Sequence, residues 1–231
     1  MSSHNFSIPL SPAELPPNAL DYLEEALHTG WLAPSGPLVR EFEKKMAQFC
    51  QRKRAVATST GTAAIHLALA ALNIGRGDEV ICPDFSYVAS VNPVLYTGAK
   101  PVLVGAEKES WGMDPEAVVE AIQQRKDKTG TCPKAVIVTH VYGIPAQMDQ
   151  LLEIADRYEI PVIEDAAEGV GASFKNKPLG SMGSFSILSF NGNKLMSTTG
   201  GGLCLFDDLE KESELRNLIR HAKDDSEPAE F

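Results

Sequence analysis

Paired cysteines, a basic surface and long apolar runs are what this chain of 231 residues lacks. Its four cysteines, Cys50, Cys82, Cys132 and Cys204, lie far apart and form no CxxC pair. That spacing argues against a metal cluster or a disulfide framework and points to a reducing compartment, the cytoplasm. Acidic residues outnumber basic ones 31 to 21, a formal charge of −10, which argues against a broad nucleic-acid or anionic-membrane surface. A small anionic ligand is still allowed, because backbone dipoles hold a phosphate locally. No apolar run approaches the roughly 20 residues that span a bilayer. The start, "MSSHNFSIPLSPAELPP", has no basic segment leading into an apolar one, so no secretory signal is expected. There is no internal repeat. No GxGxxG is present either, which counts against a nucleotide-binding oxidoreductase.

What is present is an alternation. "NALDYLEEALHTG" and "GPLVREFEKKMAQFC" carry apolar residues at helical spacing, the first through Leu20, Leu23, Ala26 and Leu27 and closed by Gly30. "RAVATSTG" reads as a strand entering a turn, and "TAAIHLALAALNIG" as a helix closed by Gly75. "DEVICPD", "KPVLVGA", "KAVIVTHV", "IPVIEDA", "SFSILSF" and "GGLCLF" read as strands, separated by helical stretches such as "PEAVVEAIQQRK" and "QMDQLLEIADRY". Apolar strands alternating with amphipathic helices predict an α/β fold whose mostly parallel sheet is sandwiched by helices. Ligands in such sheets collect beyond the carboxyl ends of the strands.

The chemistry-bearing segments fall at those ends. In "ATSTGTAAIHLAL" a strand turns into a helix around Thr62, which makes an anion site or simply a core helix capped by Thr60 or Thr62. "IPVIEDAAEGVGASF" sets Glu164 and Asp165 at a strand tip. A carboxylate there caps the next helix or pairs with a cationic nitrogen, and Asp165 in the second role would keep a pyridinium protonated. "PDFSYVASVNPV" offers Phe85 and Tyr87, as core or as a ring stacked on a flat heteroaromatic. "SFNGNKLMSTTGGG" holds Lys194 between Ser189 and three glycines. Either Lys194 is a solvated loop lysine, or it is an amine nucleophile of the kind that forms a Schiff base with an aldehyde cofactor. Ser189 can then donate to a phosphate, and Gly200, Gly201 and Gly202 let the backbone pass close to what the lysine holds. His140 reads as satisfying a local hydrogen bond, and Met148 and Leu151 as core. "TGWLAPSGP" has the chemistry of a lid loop.

Taken in order, "STGTAAIHLAL", "GDEVICPDFSYVASVNPV", "PVIEDAAEGVGASFKNKPLGSMGSFSILSFNGNK" and "TTGGGL" resemble the DegT/DnrJ-type nucleotide-sugar aminotransferases, pyridoxal-phosphate enzymes of fold type I. The resemblance runs from about residue 10 to about residue 225. It implies Lys194 as the Schiff-base lysine, Asp165 at the ring nitrogen, Tyr87 as the stacking aromatic, and Thr62, Ala63 and Ser189 around the phosphate. Glu168 joins the cofactor-binding set at a position where many members carry His or Gln, and Trp31 and Ala33 border the substrate. "AAE" with "NGNK" is similar to the branch that aminates the 4-keto group of UDP-linked 4-keto-6-deoxy amino sugars, with L-glutamate as donor and a homodimer as the assembly. The domain plan expected is an N-terminal segment and helix (1–35), a cofactor-binding large domain (36–222) and an acidic tail (223–231). The small C-terminal domain of the family is expected to be missing, which leaves as the alternative function a non-catalytic remnant that binds the cofactor or a partner subunit without turnover.

Overall fold

The apolar runs read as strands pair in the computed structural model, which describes residues 16–32 and 36–220. After helices α1 (Ala19–Thr29) and α2 (Pro37–Phe49) come β1 (Arg54–Thr58), α3 (Gly61–Ala71) and β2 (Glu79–Pro83). Then follow α4 (Asn92–Tyr96), β3 (Lys100–Val104), α5 (Pro115–Thr129), β4 (Ala135–Thr139), α6 (Met148–Arg157) and β5 (Val162–Asp165). A short hairpin of β6 (Ser173–Phe174) and β7 (Lys177–Pro178) precedes β8 (Phe185–Ser189), β9 (Gly202–Phe206) and α7 (Lys211–Ile219). Seven strands form one sheet in the order β1-β9-β8-β5-β4-β2-β3. Its pairs are parallel except those of β9, which runs antiparallel to both β8 and β1.

Side chains of a strand alternate between faces, and the core divides accordingly. Val80, Ile137, Ile163, Ile187 and Cys204 meet α3 on one face. On the other, Ile81, Val136, Val138 and Val162 meet α5 and α6, while Leu188, Leu203 and Leu205 meet α2. Met148 and Leu151 are core, as expected. The cysteines are free thiols, and burial pushes Cys82 and Cys204 up to about 12, which makes them poor nucleophiles. No helix among the described residues is long and apolar enough to cross a membrane. Helix α3 stops at Ala71 rather than continuing to Gly75, because Leu72 and Asn73 close its end and Asn73 turns left-handed at φ 54°. In α1 the stripe of Leu20, Leu23 and Leu27 is exposed and no residue is buried. Its amphipathic pattern forms a helix without a partner surface among the described residues.

One buried carboxylate ties the sheet to the loop ahead of β8. Glu164 is fully buried and accepts from the amides of Gly180 (2.7 Å), Met182 (2.7 Å) and Gly183 (3.2 Å) and from the Ser186 hydroxyl (2.7 Å). Ala146 N–H donates to His140 Nδ1 (3.1 Å), so His140 Nε2 carries the proton it shares with Glu164 (3.1 Å). Burial alone would raise the Glu164 carboxyl, but the His140 bond and the two closest amides outweigh it and hold it at about 2. Arg52 grips the same loop from below through the carbonyls of Ser181, Gly183 and Ser184.

Two substitutions test these constraints. Glu164→Gln leaves amide donors facing an amide NH₂ and should cost about 3 kcal/mol in denaturant unfolding. Glu164 titrates near 4.5 unfolded and near 2 folded, so its stabilisation is present above the first value and fades as pH falls toward the second. The variant's unfolding free energy should therefore change less between pH 5 and pH 3 than that of wild type; equal slopes would refute the assignment. Gly202→Ala places a Cβ into the Thr60–Gly61 backbone and should cost about 3 kcal/mol, and an unchanged denaturation midpoint would refute the close packing.

Candidate active site

Three neighbouring strands end together, and each supplies an oxygen. Asp165 closes β5 and Thr139 closes β4, and the two are register partners, so their side chains share a face. Beyond β2, a 3₁₀ turn over Val88–Ser90 brings Ser90 in, buried. Ser90 Oγ donates to Asp165 Oδ2 at 2.6 Å, the Ala167 amide donates to Oδ1 at 3.1 Å, and Thr139 Oγ1 donates to Ser90 Oγ at 3.2 Å. Burial pushes the Asp165 carboxyl up; Ser90, the Ala167 amide, His140 and Lys194 pull it back only in part. Asp165 is thus a buried acceptor with one donor on each oxygen and lone pairs to spare.

Lys194 comes from the loop between β8 and β9. Its Nζ lies 3.0 Å from Glu168 Oε1, with the lysine side chain 15% exposed. Glu168 sits three residues beyond Asp165, and its Oε2 accepts from the Tyr142 amide at 2.8 Å. Tyr142 holds a left-handed φ of 54° and is exposed. Lys194 is also near enough to Asp165 to act on its ionisation. The amine is therefore held by a carboxylate at the rim of the cluster, which a freely solvated lysine is not.

The anion cradle lies at the start of α3. Thr60 caps the helix, its Oγ1 accepting from the Ala63 amide at 3.0 Å and its carbonyl accepting from Ala64. Gly61 and Thr62 precede these, with amides that have no intrahelical partner. A Cβ at Gly61 would stand 3.0 Å from Ser189 Cβ, so the Ser189 hydroxyl lies directly over the first turn. Gly202 brings β9 past the same point, where any side chain would strike the Thr60 backbone. The glycines thus pass close to the Thr60–Gly61 backbone.

The structure gathers Asp165, Lys194 and Glu168 at one sheet edge and brings Ser189 onto the turn of Thr62 and Ala63. The Ala63 amide is already engaged by Thr60. Tyr87 is 75% exposed and starts the same turn whose third residue is Ser90, its carbonyl accepting from the Ser90 amide. Phe85 instead meets Trp111 edge-on. Trp31 stands exposed just past α1 and shares no hydrogen bond with the cluster among the described residues; Ala33 lies outside them, as does the acidic tail. His140 is satisfied locally, as read, though through Glu164 as well as Ala146. Ser90 and Thr139 were not foreseen: nothing in "SYVAS" marks a serine whose partner is 75 residues away. A groove of about 1800 Å³ opens between α2, α3 and α7 and reaches Gly200–Gly202, but neither Lys194 nor Asp165 lines it. The chemistry, not the volume, locates the site.

Comparison with known proteins identifies the family. The aminotransferase EpsN of Bacillus subtilis (strain 168), named as pyridoxal phosphate-dependent, is 43% identical over 93% of this chain and 55% of its own length. GDP-perosamine synthase of Caulobacter vibrioides is 40% identical over 91% of this chain and 55% of its own. The crystal structure of DesI, solved in the presence of its TDP-sugar product, superposes with a TM-score of 0.83 at 30% identity, covering 94% of this chain and 53% of DesI. The chain thus spans about half the length of these relatives. Residues 14–230 match a family described as the DegT/DnrJ/EryC1/StrS aminotransferases, and the chain belongs to that family.

Proposed function

We propose that this chain is the cofactor-binding part of a pyridoxal-phosphate-dependent aminotransferase acting on a nucleotide-linked keto sugar. The observation that carries this reading is the Lys194 amine, set beside the buried, incompletely neutralised Asp165. A cationic ring nitrogen at Asp165 would answer the burial cost that the present donors leave standing. An aldehyde within reach of Lys194, and a phosphate at the Gly61–Thr62 turn under Ser189, would use the other two features. The residues fit the group.

When bound, pyridoxal phosphate supplies a carbon that an amine can attack and a ring that draws electrons from it. The protein's own part is positioning and proton transfer. Asp165 would keep the ring nitrogen protonated, and the first amides of α3 with Ser189 would hold the phosphate dianion against a net charge of −10. Lys194 Nζ would take the donor's α-proton and later return one to the sugar carbon. Glu168 receives the Lys194 ammonium between these tasks. Tyr87, exposed where the 3₁₀ turn begins, would cover one face of the ring.

The finer reading assigns L-glutamate as donor, the 4-keto carbon of a UDP-linked 4-keto-6-deoxy amino sugar as acceptor, and the cytoplasm as the compartment. Glu168 after "EDAA", together with "NGNK", supports the UDP-sugar branch; the relatives' own names carry GDP- and TDP-linked sugars. A homodimer would cover the exposed stripe of α1. A second reading is binding of the cofactor or of a partner subunit without turnover by this chain alone.

Pyridoxal phosphate added to the protein should give a visible absorbance band and, after borohydride reduction, a mass adduct confined to the peptide bearing Lys194. Lys194→Ala should abolish both. An adduct spread over surface lysines, or one unchanged in Lys194→Ala, would sink the proposal. L-Glutamate should then bleach the unreduced band with formation of 2-oxoglutarate, and a UDP-linked 4-keto sugar should restore it. A correct adduct that neither substrate alters decides for binding without turnover.

A further inference from the structure

Resting on that reading of the site, we propose that Ser90 is a positioning residue: its hydroxyl orients the Asp165 carboxylate, keeps it ionised, and couples it to the turn that presents Tyr87. The direction of the hydrogen bonds follows from chemistry alone. A carboxylate only accepts, so the single Ser90 proton goes to Asp165 Oδ2 at 2.6 Å. Ser90 Oγ is then the acceptor for Thr139 at 3.2 Å. The result is a relay from Thr139 through Ser90 to Asp165, with members from the end of β4, the 3₁₀ turn that follows β2, and the end of β5. These three strands are consecutive in the sheet. The second carboxylate oxygen is taken by the Ala167 amide, so the plane of the carboxylate is set from both sides while each oxygen keeps a free lone pair.

The coupling to Tyr87 is as short as a backbone allows. Ser90 closes the 3₁₀ turn that Tyr87 opens, its amide donating to the Tyr87 carbonyl at 3.0 Å. A buried anchor at Ser90 therefore fixes where an exposed ring three residues earlier begins. One hydroxyl thus registers the group that meets the edge of a flat ligand against the group that meets its face.

The electrostatic part has a defined sign. Burial favours the neutral form of Asp165, and a hydroxyl donating to the carboxylate favours the charged form. The titratable groups that act on Asp165 from neighbouring elements are His140, after β4, and Lys194, after β8. Both stay in place when Ser90 is altered. Removing the hydroxyl moves the Asp165 titration upward, so pairing with a cationic ring nitrogen is lost at a higher pH on the acid side.

The test is a titration of the cofactor-free protein with pyridoxal phosphate across a pH series, following absorbance for affinity and circular dichroism for folding. Ser90→Ala should bind about tenfold more weakly, the value of one hydrogen bond to a charged group, with its acid limb displaced upward. Ser90→Thr, which keeps a hydroxyl, should return both readouts to near wild type. Thr139→Val should weaken binding by about threefold at most, since it removes only the bond to Ser90. If Ser90→Ala does not fold, Ser90→Cys, with a weak donor of similar size, is read against the same outcomes. Wild-type affinity and an unmoved acid limb in a folded Ser90→Ala protein would overturn the inference and leave the aminotransferase reading untouched. No Lys194 adduct in wild type would overturn the reading itself, and this inference with it.

Discussion

Everything at this sheet edge depends on the alternation of two adjacent carboxylates. Because successive side chains of a strand face opposite ways, Glu164 and Asp165 cannot serve the same purpose. Glu164 continues the face of Val162, where α5 and α6 pack, and is saturated by amides, a hydroxyl and His140. Asp165 continues the face of Ile163, on the α3 side, and has only two donors. The same burial that Glu164 answers in full leaves Asp165 with its carboxyl shifted up. A one-residue slip of β5 would exchange the two. The five-donor anchor of Glu164 and the five-residue grip on the loop before β8 are what forbid that slip, and they also set the level at which β8 delivers Ser189.

The antiparallel strand β9 has a comparable consequence at the other end of the site. A parallel sheet alone would leave β1 and β8 without a strand between them. β9 returns from the Lys194 loop and threads between the two, and it can do so only because Gly202 carries no Cβ where it passes the Thr60–Gly61 backbone. That crossing seats the Ser189 end of β8 against the first turn of α3. Strand order thus sets up the proposed anion cradle in a molecule whose overall charge opposes anions. Its strength is local: helix-terminal amides act over a turn or so, and the acidic surface beyond is screened by salt.

Much of this was legible in the sequence, for physical reasons that can be named. Apolar strands and amphipathic helices announce a mostly parallel sheet, and short segments such as "IEDAA" and "GNK" carry their chemistry in adjacent residues. Asp165 and Lys194 were therefore visible as candidates, and Glu168 came in through the family resemblance. The antiparallel sense of β9 was not, because "GGLCLF" is equally apolar whichever way it runs. Nor were Ser90 and Thr139. Their role exists only across three strand ends, and a small hydroxyl residue near a turn has too many ordinary uses to stand out. The exposed stripe of α1 shows the opposite failure: its pattern was correct, and correctly helical, yet periodicity reports which face is apolar and not what covers it.

Rigid and movable parts are divided in a way that suits amine exchange. Asp165, Ser90 and Thr139 sit on strand ends or in a buried turn, and their geometry is over-determined by the sheet. Lys194 sits on a loop tied at its base, with Thr198 bonded to Phe190 and Phe190 bonded to Gly201. Between those ties the side chain bonds, among the described residues, to Glu168. A lysine that must be bonded to a ligand at one moment and free at the next needs a place to wait that is neither solvent nor the acceptor at Asp165. A carboxylate three residues beyond Asp165, itself fixed by the Tyr142 amide, is such a place. In the proposed reaction it would let the amine change partners while the groups proposed to hold the ring stay still.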